Sequence, residues 1–449
     1  MKKFNNFLIF ENETLKSSMK KISKNQKNIV YVYNSKKQIT SSLSDGDIRR
    51  HLLKNGSIND PVYLCSNKNF KFIKDLNERE NILKLLDKKY KSIPVLDKNN
   101  KIIDIIDRSL NLISSKKKII RARAPARLSI AGGGTDITNY FFDKGGTGIS
   151  LTISKYCNVH LIKRNDNKII IESNDFKKKE IIKNFNEIKY NGTLDVIKAS
   201  IKLLKPDFGF EIFIETDYKP GSGLGGSAAL SSCVIGAINY LQNIKLNKYE
   251  IAELAFQAER IELGILGGWQ DQYSTVFGGC NLMEFRKKSN LVQKLHLPNN
   301  IIDELERRLI ICDTNIKHKG PKIHSTNQTN KNFNNYGKQI KILVEEIRVL
   351  LLTGKINKLG KLIQQTWDLK KQLNKSMTNK KIRHMEQKLC KPNLADGCRL
   401  LGTGGGGYML FYINPQNRFN FLKKIGQLKM NYYKVKIDLE GLKVWETDL

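Results

Sequence analysis

A glycine-rich turn between a strand-like and a helix-like stretch constrains this chain more than any other feature. The segment FEIFIE (210–215) alternates apolar and polar residues, which predicts a half-buried strand. Small and apolar residues then run from Ser227 to Leu241 and predict a buried helix. A strand, a glycine loop and a helix start together direct backbone N–H groups and a positive dipole end towards an anion. We therefore predict a phosphate-binding loop that comprises Pro220, Gly221, Ser222, Gly223, Leu224, Gly225, Gly226, Ser227 and Ala228.

Two familiar phosphate-binding loops do not fit this segment. A Walker loop requires a lysine after its final glycine, whereas Ser227 follows Gly226 here. The spacing Gly221-x-Gly223-x-x-Gly226 matches the dinucleotide-binding fingerprint, which must be followed by a second strand that ends in an acidic residue. The helix-like stretch NKYEIAELAFQAERIEL follows instead. The pattern therefore disfavours both a P-loop NTPase and a Rossmann dehydrogenase.

The composition is that of a folded chain with a basic surface. With 449 residues, the chain has the length of two or three domains. Its formal net charge of +35 comes from lysines scattered through every segment, without a helix-turn-helix, zinc-finger or RNA-binding motif. We therefore expect no nucleic-acid partner, but a surface that attracts ATP and phosphorylated metabolites.

The cysteines and the apolar runs bear on the compartment. The seven cysteines include no C-x-x-C pair, which argues against a disulfide framework and suits a reducing compartment. The first apolar stretch is short and interrupted by Glu11, so it does not look like a signal peptide. No apolar run approaches membrane-spanning length. We expect a cytoplasmic protein with no membrane partner.

Three further segments share one resemblance with the glycine loop. They are RAPARLSIAGGGTD (123–136), LGGWQDQYSTVFGG (266–279) and CRLLGTGGGGYMLFY (398–412). With PGSGLGGSAA, they resemble the ordered motifs of the GHMP kinases, the superfamily of galactokinase, homoserine kinase, mevalonate kinase and phosphomevalonate kinase. The resemblance implies an ATP-dependent small-molecule kinase with an α+β, two-lobed fold. Its N-terminal lobe (119–320) would carry the glycine-rich phosphate loop, and its C-terminal lobe (321–449) would be ferredoxin-like.

The resemblance implies roles for individual side chains. Arg127 takes the position of a basic residue near the transferring phosphoryl group, where a guanidinium can stabilise charge on phosphate oxygens. Asp271 takes that of the catalytic aspartate, a general base for the acceptor hydroxyl. The glycine tract of the third motif, with Gly404 and Gly405, would pack behind the phosphate loop and face the substrate. Asp136, the acid of the first motif, would accept hydrogen bonds from sugar hydroxyls. Gly133, Gly134 and Thr135, which precede it, would also bind the substrate.

A magnesium ion is implied as well. Glu259, in AFQAERIELG, lies where related kinases carry a Mg²⁺-ligating glutamate. Together with Ser227 at the helix start, it offers the oxygen ligands that Mg²⁺ prefers. Glu262 is an alternative ligand, because the spacing from Glu259 to Asp271 is slightly longer than in mevalonate kinase.

The substrate class follows from finer features of the same motifs. AGGGTD, GGWQDQY and GLKVWE look most like the heptose 7-phosphate kinases, and the fucokinases share parts of this pattern. Both groups phosphorylate an anomeric hydroxyl, and the heptose kinases make a 1,7-bisphosphate on the way to GDP-heptose for surface glycans. A phosphorylated substrate needs cations away from ATP, and Lys317 and His318 are candidates, although their segment equally fits an exposed basic loop.

A contrasting hypothesis is a nucleotide-binding regulatory protein without kinase activity. The joint presence of Arg127, Ser227 and Asp271 argues against it.

Residues 1–115 have a different pattern. Strand-like NIVYVYN, turn-rich SDGD and helix-like IRRHLLKN precede helix-like ERENILKLLDKK and strand-like SIPVLD and IIDIID, which suggests an internal duplication. SLSDGDIRRHL and YKSIPVLDKNNKIIDIID resemble an α/β CBS-domain pair. The resemblance implies an adenine nucleotide held by Ser44 and Asp47, or a docking module without a ligand. SSKKK (114–118) is the predicted linker, and a homodimer is a further partner hypothesis.

Overall fold

The computed structural model of this protein describes residues 2–75, 78–88, 90–107, 118–243, 245–316 and 332–448. It divides into two compact units, Met1–Ser115 and Lys116–Leu449. Throughout the described segments, no helix combines the length and the apolar character that crossing a lipid bilayer requires.

The first unit contains short strands and helices. Its described strands are β1 Leu8–Phe10, β2 Ile29–Tyr33, β3 Ile39–Ser44, β4 Ser92–Leu96 and β5 Ile102–Asp107. Its described helices are α1 Leu15–Asn25, α2 Asp45–Leu52 and α3 Arg79–Asp87, with 3₁₀ turns at Lys2–Phe7 and Val62–Leu64. In the first half, β1 pairs parallel with β2, which pairs antiparallel with β3. In the second half, Ile73 forms a parallel bridge with Val95, and β4 pairs antiparallel with β5. The same pairing order therefore occurs twice.

The SDGD segment begins a helix instead of forming an isolated turn. The Asp47 N–H donates to Ser44 Oγ at 3.2 Å, and the Ser44 N–H donates to Asp47 Oδ2 at 2.9 Å, which is a reciprocal capping box. Arg50 also pairs with Asp47. Ser44 and Asp47, predicted to face a ribose, are thus engaged with each other at the start of α2. Helix capping explains their spacing without a nucleotide.

The second unit mixes long strands with helices. Its described strands are β6 Lys118–Ala131, β7 Gly146–Lys163, β8 Ile169–Ser173, β9 Lys178–Ile182, β10 Phe210–Thr216, β11 Cys280–Phe285, β12 Leu291–Lys294, β13 Leu309–Asp313, β14 Gly397–Leu400, β15 Tyr408–Tyr412, β16 Tyr432–Lys434 and β17 Lys443–Asp448. Its described helices are α4 Thr138–Lys144, α5 Asp195–Leu204, α6 Gly226–Leu241, α7 Lys248–Phe256, α8 Gln270–Phe277, α9 Asn299–Arg308, α10 Phe333–Leu352, α11 Leu359–Leu373, α12 Lys380–Leu389 and α13 Arg418–Gln427. A π-helical turn, Gln257–Glu262, continues α7, and 3₁₀ turns occupy Phe185–Glu187, Ile356–Lys358, Lys375–Met377 and Pro415–Asn417.

The larger sheet of this unit carries the glycine loop. Its eight strands include the path β12-β11-β7-β10-β8-β9, while β6 pairs with β7 and with β17. The predicted strand FEIFIE is β10, which lies antiparallel to β7 and parallel to β8. Helix α6 packs across β6 and β7 and against α5, α7 and α8, so its small apolar residues are buried on nearly every side. The strand–loop–helix arrangement predicted from the sequence is confirmed.

The smaller sheet has the order β14-β15-β13-β16 with antiparallel neighbours. Along the chain, β13 is followed by helices, then by β14 and β15, then by α13 and β16. This is the β-α-β-β-α-β succession of a ferredoxin-like lobe, as predicted. Apolar residues of both sheets, among them Leu128 and Leu410, share one core.

The predicted lobes, 119–320 and 321–449, do not coincide with the two sheets, because the chain passes between the sheets at other positions. Strand β13 pairs with β15 in the smaller sheet, and β17 pairs with β6 in the larger one. The segment YYKVKIDL (432–439) is a regular strand only over β16. After Lys434, Val435 and Ile437 turn into the shared core, and Ile437 bridges Ile153 of the larger sheet. Burial of these two side chains therefore outweighs continued pairing in the smaller sheet.

Candidate functional site

The glycine loop lies between the end of β10 and the start of α6 and forms one wall of a cleft of about 830 Å³, here called the loop cleft. Gly225 is the N-cap of α6 with φ of 76°, and no side chain caps the helix. Its first N–H groups are therefore available to an anion in the cleft. The predicted loop residues line the cleft except Leu224, whose buried side chain belongs to the core.

A second glycine tract packs directly behind this loop. A Cβ on Gly223, where φ is +79°, would lie 2.7 Å from the Leu401 carbonyl oxygen. The Tyr408 N–H donates to the Ser222 carbonyl at 2.9 Å. The close approach of two backbones explains why glycine occupies both segments, and it confirms the predicted packing of the tract behind the loop.

A bidentate ion pair joins β6 to α8 beside the glycine loop. Arg127 Nε and Nη2 donate to Asp271 Oδ1 and Oδ2 at 2.8 and 2.7 Å, and Arg127 Nη1 donates to the Gly223 carbonyl at 2.6 Å. The Arg127 main chain also donates to the Leu224 carbonyl. Arg127 is buried, whereas a quarter of the Asp271 side chain is exposed. The carboxylate is therefore fixed beside the glycine loop and accessible to a ligand.

Arg127 and Asp271 also line a smaller, second space of about 80 Å³, here called the inner cavity. Segment 133–136, α8, α10, α11 and the start of the glycine tract form its walls. The two spaces therefore meet at the ion pair. A group bound in the loop cleft and one bound in the inner cavity would approach each other there.

Asp136 lies in the wall of the inner cavity and is held by main-chain groups. The N–H groups of Gly134 and Gln270 donate to its two carboxylate oxygens at 2.8 and 3.1 Å. Burial, and secondarily the negative charge of Asp271, raise the pKa of Asp136 above its ordinary value. Gly133 and Gly134, which were predicted to bind substrate, line the cavity beside it.

Two residues of this cavity were missed by the sequence analysis. Tyr336, on α10, donates its hydroxyl to the Gly133 carbonyl at 2.6 Å. Lys370, on α11, is buried, and its Nζ donates to the Gly402 carbonyl at 2.7 Å. A signal for Lys370 was present, because at helical spacing it lies on the buried stripe of α11 with Ile363 and Leu373.

The two candidate magnesium ligands lie in different surroundings. Glu259 is buried and lines the loop cleft, as does exposed Ser227 at the start of α6. Gln272 donates to Glu259 Oε1 at 2.9 Å, and Arg260 contacts its other oxygen. Glu262 is exposed and accepts a hydrogen bond from Tyr190. A carboxylate and a hydroxyl facing one cleft form an oxygen donor set that fits Mg²⁺, with the remaining ligands from phosphate and water.

Other predicted site residues lie elsewhere. The Thr135 hydroxyl is buried and donates to the Gly132 and Thr147 carbonyls, so it supports the segment from behind. Gly404 packs against Met377. Gly404 and Gly405 were predicted to face the substrate, but Gly402 and Thr403 are the tract residues that line the loop cleft and the inner cavity. The cause is that the tract turns towards Met377, whose carbonyl accepts from the Gly405 N–H. Lys317 and His318 lie outside the described residues.

The chain is similar to known proteins along most of its second unit's length. The family described as GHMP kinases N terminal domain matches residues 191–279. The D-glycero-alpha-D-manno-heptose 7-phosphate kinase of Campylobacter jejuni is 33% identical over 343 residues, which is 73% of this chain and 99% of that protein. The L-fucokinase/L-fucose-1-P guanylyltransferase of Bacteroides fragilis is 29% identical, over 65% of this chain and 34% of that protein.

Solved structures agree with these relationships. A D-glycero-D-manno-heptose 1-phosphate kinase from Bacteroides thetaiotaomicron has a TM-score of 0.62 and 25% identity, covering 73% of this chain and 98% of that one. The galactokinase of Lactococcus lactis, with galactose bound, has a TM-score of 0.61 at 18% identity, covering 74% and 95%, which supports the fold alone.

The site geometry and these likenesses point in the same direction. Main-chain amides at a helix start suit phosphates, and a fixed carboxylate beside them suits a hydroxyl that is to be phosphorylated. This chain belongs to the GHMP kinase superfamily and is a sugar kinase, a phosphotransferase that acts on a hydroxyl group.

Proposed function

We propose that this kinase transfers the terminal phosphoryl group of ATP to the anomeric hydroxyl of a heptose 7-phosphate, giving the 1,7-bisphosphate used to make nucleotide-activated heptose for surface glycans. The observation that carries the reaction geometry is that Arg127 and Asp271 line both the loop cleft and the inner cavity. The heptose 7-phosphate kinase at 33% identity supports the acceptor.

The chain's own groups suggest how the reaction proceeds. The loop amides and the start of α6 bind the triphosphate in the loop cleft. The acceptor sugar lies in the inner cavity against Asp136. Asp271 accepts the proton of the attacking hydroxyl, since each oxygen of an ionised carboxylate can accept more than one hydrogen bond. Arg127 holds that carboxylate in place and lies beside the phosphoryl group as charge builds on its oxygens.

A magnesium ion belongs to this proposal, and Glu259 and Ser227 are the residues that would hold it. When bound, it supplies positive charge that neutralises the phosphate oxygens. Glu259 is favoured over Glu262 because it lines the loop cleft, whereas Glu262 is exposed and bonded to Tyr190.

A panel of acceptors tests the substrate. ADP release would be followed with heptose 7-phosphate, unphosphorylated heptose, fucose and galactose, and phosphorus NMR would identify an anomeric phosphate in the product. We expect heptose 7-phosphate to have the highest kcat/KM and the Asp271→Asn variant to release sugar-dependent ADP about 10³-fold more slowly. Fucose turned over at an equal or higher kcat/KM would replace the heptose assignment with the fucokinase alternative, which the Bacteroides fragilis relative supports. ATP binding without turnover of any sugar would favour a regulatory protein.

For the first unit we propose a CBS-like module that docks or regulates and does not take part in phosphoryl transfer. Its repeated strand-pairing order supports a duplicated module. The capping box of Ser44 and Asp47 favours docking over nucleotide binding at these two residues. Isothermal titration of the full chain with AMP in the presence of saturating ATP analogue tests this. If one equivalent of AMP still binds under these conditions, and Asp47→Ala abolishes this binding, the module binds a nucleotide and does not serve for docking alone.

A further inference from the structure

Lys370 is a buried cation that the reaction described above leaves without a role. It lies on α11, one turn before the helix ends at Leu373, and it reaches the inner cavity from the ferredoxin-like lobe. Its Nζ donates to the carbonyl of Gly402, where the glycine tract begins. It therefore lies in the wall of the space assigned to the acceptor, close to Gly133, where an added Cβ would lie 3.9 Å from Lys370 Nζ.

A comparison with Lys198 shows what is unusual about this residue. Both lysines are buried. Lys198 Nζ lies 2.9 Å from Glu180 and 3.5 Å from Asp195, so two carboxylates neutralise it. Among the described residues, Lys370 Nζ makes one hydrogen bond, to the Gly402 carbonyl, and no ion pair. An ammonium group has three N–H donors, and leaving buried donors unused is costly. The unused hydrogen-bonding capacity of Lys370 therefore points to a ligand in the cavity.

Four charged groups on different elements act on Lys370. Burial is the largest influence on its pKa, and the positive charges of Arg399 on β14 and Arg127 on β6 act in the same direction. Asp136 and Asp271 act in the opposite direction, and the net result is a pKa of about 7. Near neutral pH the nitrogen can thus donate hydrogen bonds as an ammonium or accept one from a hydroxyl as an amine.

We propose that Lys370 contacts the acceptor sugar and holds an oxygen atom next to the hydroxyl that is phosphorylated. The proposal rests on the sugar kinase activity but not on which sugar is used. The geometry that carries it is one buried nitrogen, fixed by Gly402, in the wall of a cavity that also contains Asp136 and Asp271. A site built to hydrogen-bond a particular oxygen discriminates strongly against sugars that lack it. Lys370 therefore determines acceptor specificity.

The test compares Lys370→Met with Lys371→Met. Methionine keeps most of the length of the side chain, being one atom shorter, and removes its charge. The adjacent Lys371 is paired with Asp368 and Glu386 and does not line the inner cavity, so it is a matched control. The assay uses whichever sugar of the panel the wild type phosphorylates with the highest kcat/KM. We expect Lys370→Met to raise the acceptor KM by about 30-fold. The KM for ATP should stay within about twofold in both variants, since nucleotide contacts do not change.

The pH profile gives a readout that a merely structural role would not change. In the wild type, the acceptor kcat/KM should titrate near pH 7, and this titration should be absent from Lys370→Met and retained in Lys371→Met. An unchanged acceptor KM and profile in Lys370→Met would overturn the proposal. If that variant fails to fold, a wild-type acceptor KM that is flat between about pH 6 and 8.5 overturns it as well. If the wild type does not phosphorylate heptose 7-phosphate but the expected effects of Lys370→Met are found with another sugar, only the proposed substrate is rejected.

Discussion

The loop cleft and the inner cavity adjoin at one ion pair, yet they are built differently. The loop cleft is shaped by backbone, since its glycine loop packs against the second glycine tract and leaves the amides at the start of α6 uncapped. The inner cavity is lined by side chains from both lobes, including Asp136, Tyr336 and Lys370. A backbone site recognises what all nucleotides share, whereas a side-chain site can vary with the acceptor. We therefore expect substrate specificity to depend on the inner cavity.

The largest effect is expected where the two spaces meet. Asp271→Asn keeps the shape of the side chain but removes its charge and basicity, so kcat should fall by about 10³-fold with ATP affinity nearly unchanged. Single-turnover kinetics and a nucleotide-binding titration measure the two quantities. Asp143→Asn, at an exposed position of α4, is the control. Full activity in Asp271→Asn would mean that the carboxylate is not the base.

The backbone character of the loop cleft can be tested at Gly223. Alanine there would adopt a left-handed conformation and place its Cβ 2.7 Å from the Leu401 carbonyl oxygen. We expect the KM for ATP to rise by about tenfold or more, and the free energy of unfolding to fall by about 1–3 kcal/mol. Gly264 has a similar φ of +64° with nothing within 4 Å, so Gly264→Ala separates conformational strain from the clash. Equal effects in both variants would refute the close-packing explanation.

The metal ligand is tested by a matched pair of glutamates. Glu259→Gln should raise the Mg²⁺ concentration required for half-maximal activity by about tenfold, because it removes a charged oxygen from the loop cleft. Glu262→Gln should change it by less than about twofold, since that carboxylate bonds to Tyr190 on the exposed side. Mg²⁺ titrations at saturating ATP provide the measurement. The opposite order of effects would assign the ligand to Glu262.

The last prediction concerns the dependence of stability on pH. Burial lowers the pKa of Lys370 to about 7, below the ordinary value of 10.5 that applies in the unfolded chain. Between these values the unfolded state binds more protons, so the wild type gains stability as pH rises from about 7 towards 10.5. Lys370→Met should therefore gain most stability relative to the wild type near pH 6, and this advantage should shrink by pH 9 without disappearing, because pH 9 is still below 10.5. Urea denaturation at the two pH values checks this, and a pH-independent difference would contradict it.

The features that could be predicted from the sequence are those encoded by residues close together in the chain. The strand, loop and helix around residues 220–228 are continuous in the chain, and the motif resemblance was sufficient to bring Arg127 and Asp271 to the same loop. Lys370 and Tyr336 were missed because they reach the cavity from helices far along the chain and belong to no motif. Gly404 and Gly405 were assigned to the substrate because a run of glycines does not show which members turn towards Met377.

The choice between Glu259 and Glu262 depended on a local irregularity. The π-helical turn over Gln257–Glu262 contains an additional residue compared with an α-helical turn, which changes the direction of the side chains that follow. A helical pattern read from sequence assumes a constant period, so it could not decide which glutamate faces the loop cleft.

The pairing of β17 with β6 has a consequence for biosynthesis. Lys118 and Glu446, which lie on these two strands, are separated by 328 positions. At about 5–20 residues per second, a ribosome needs roughly 15–65 s between making one strand and the other. During this interval the strand that carries Arg127 has an open edge, and chaperone binding to it would protect the nascent kinase from aggregation.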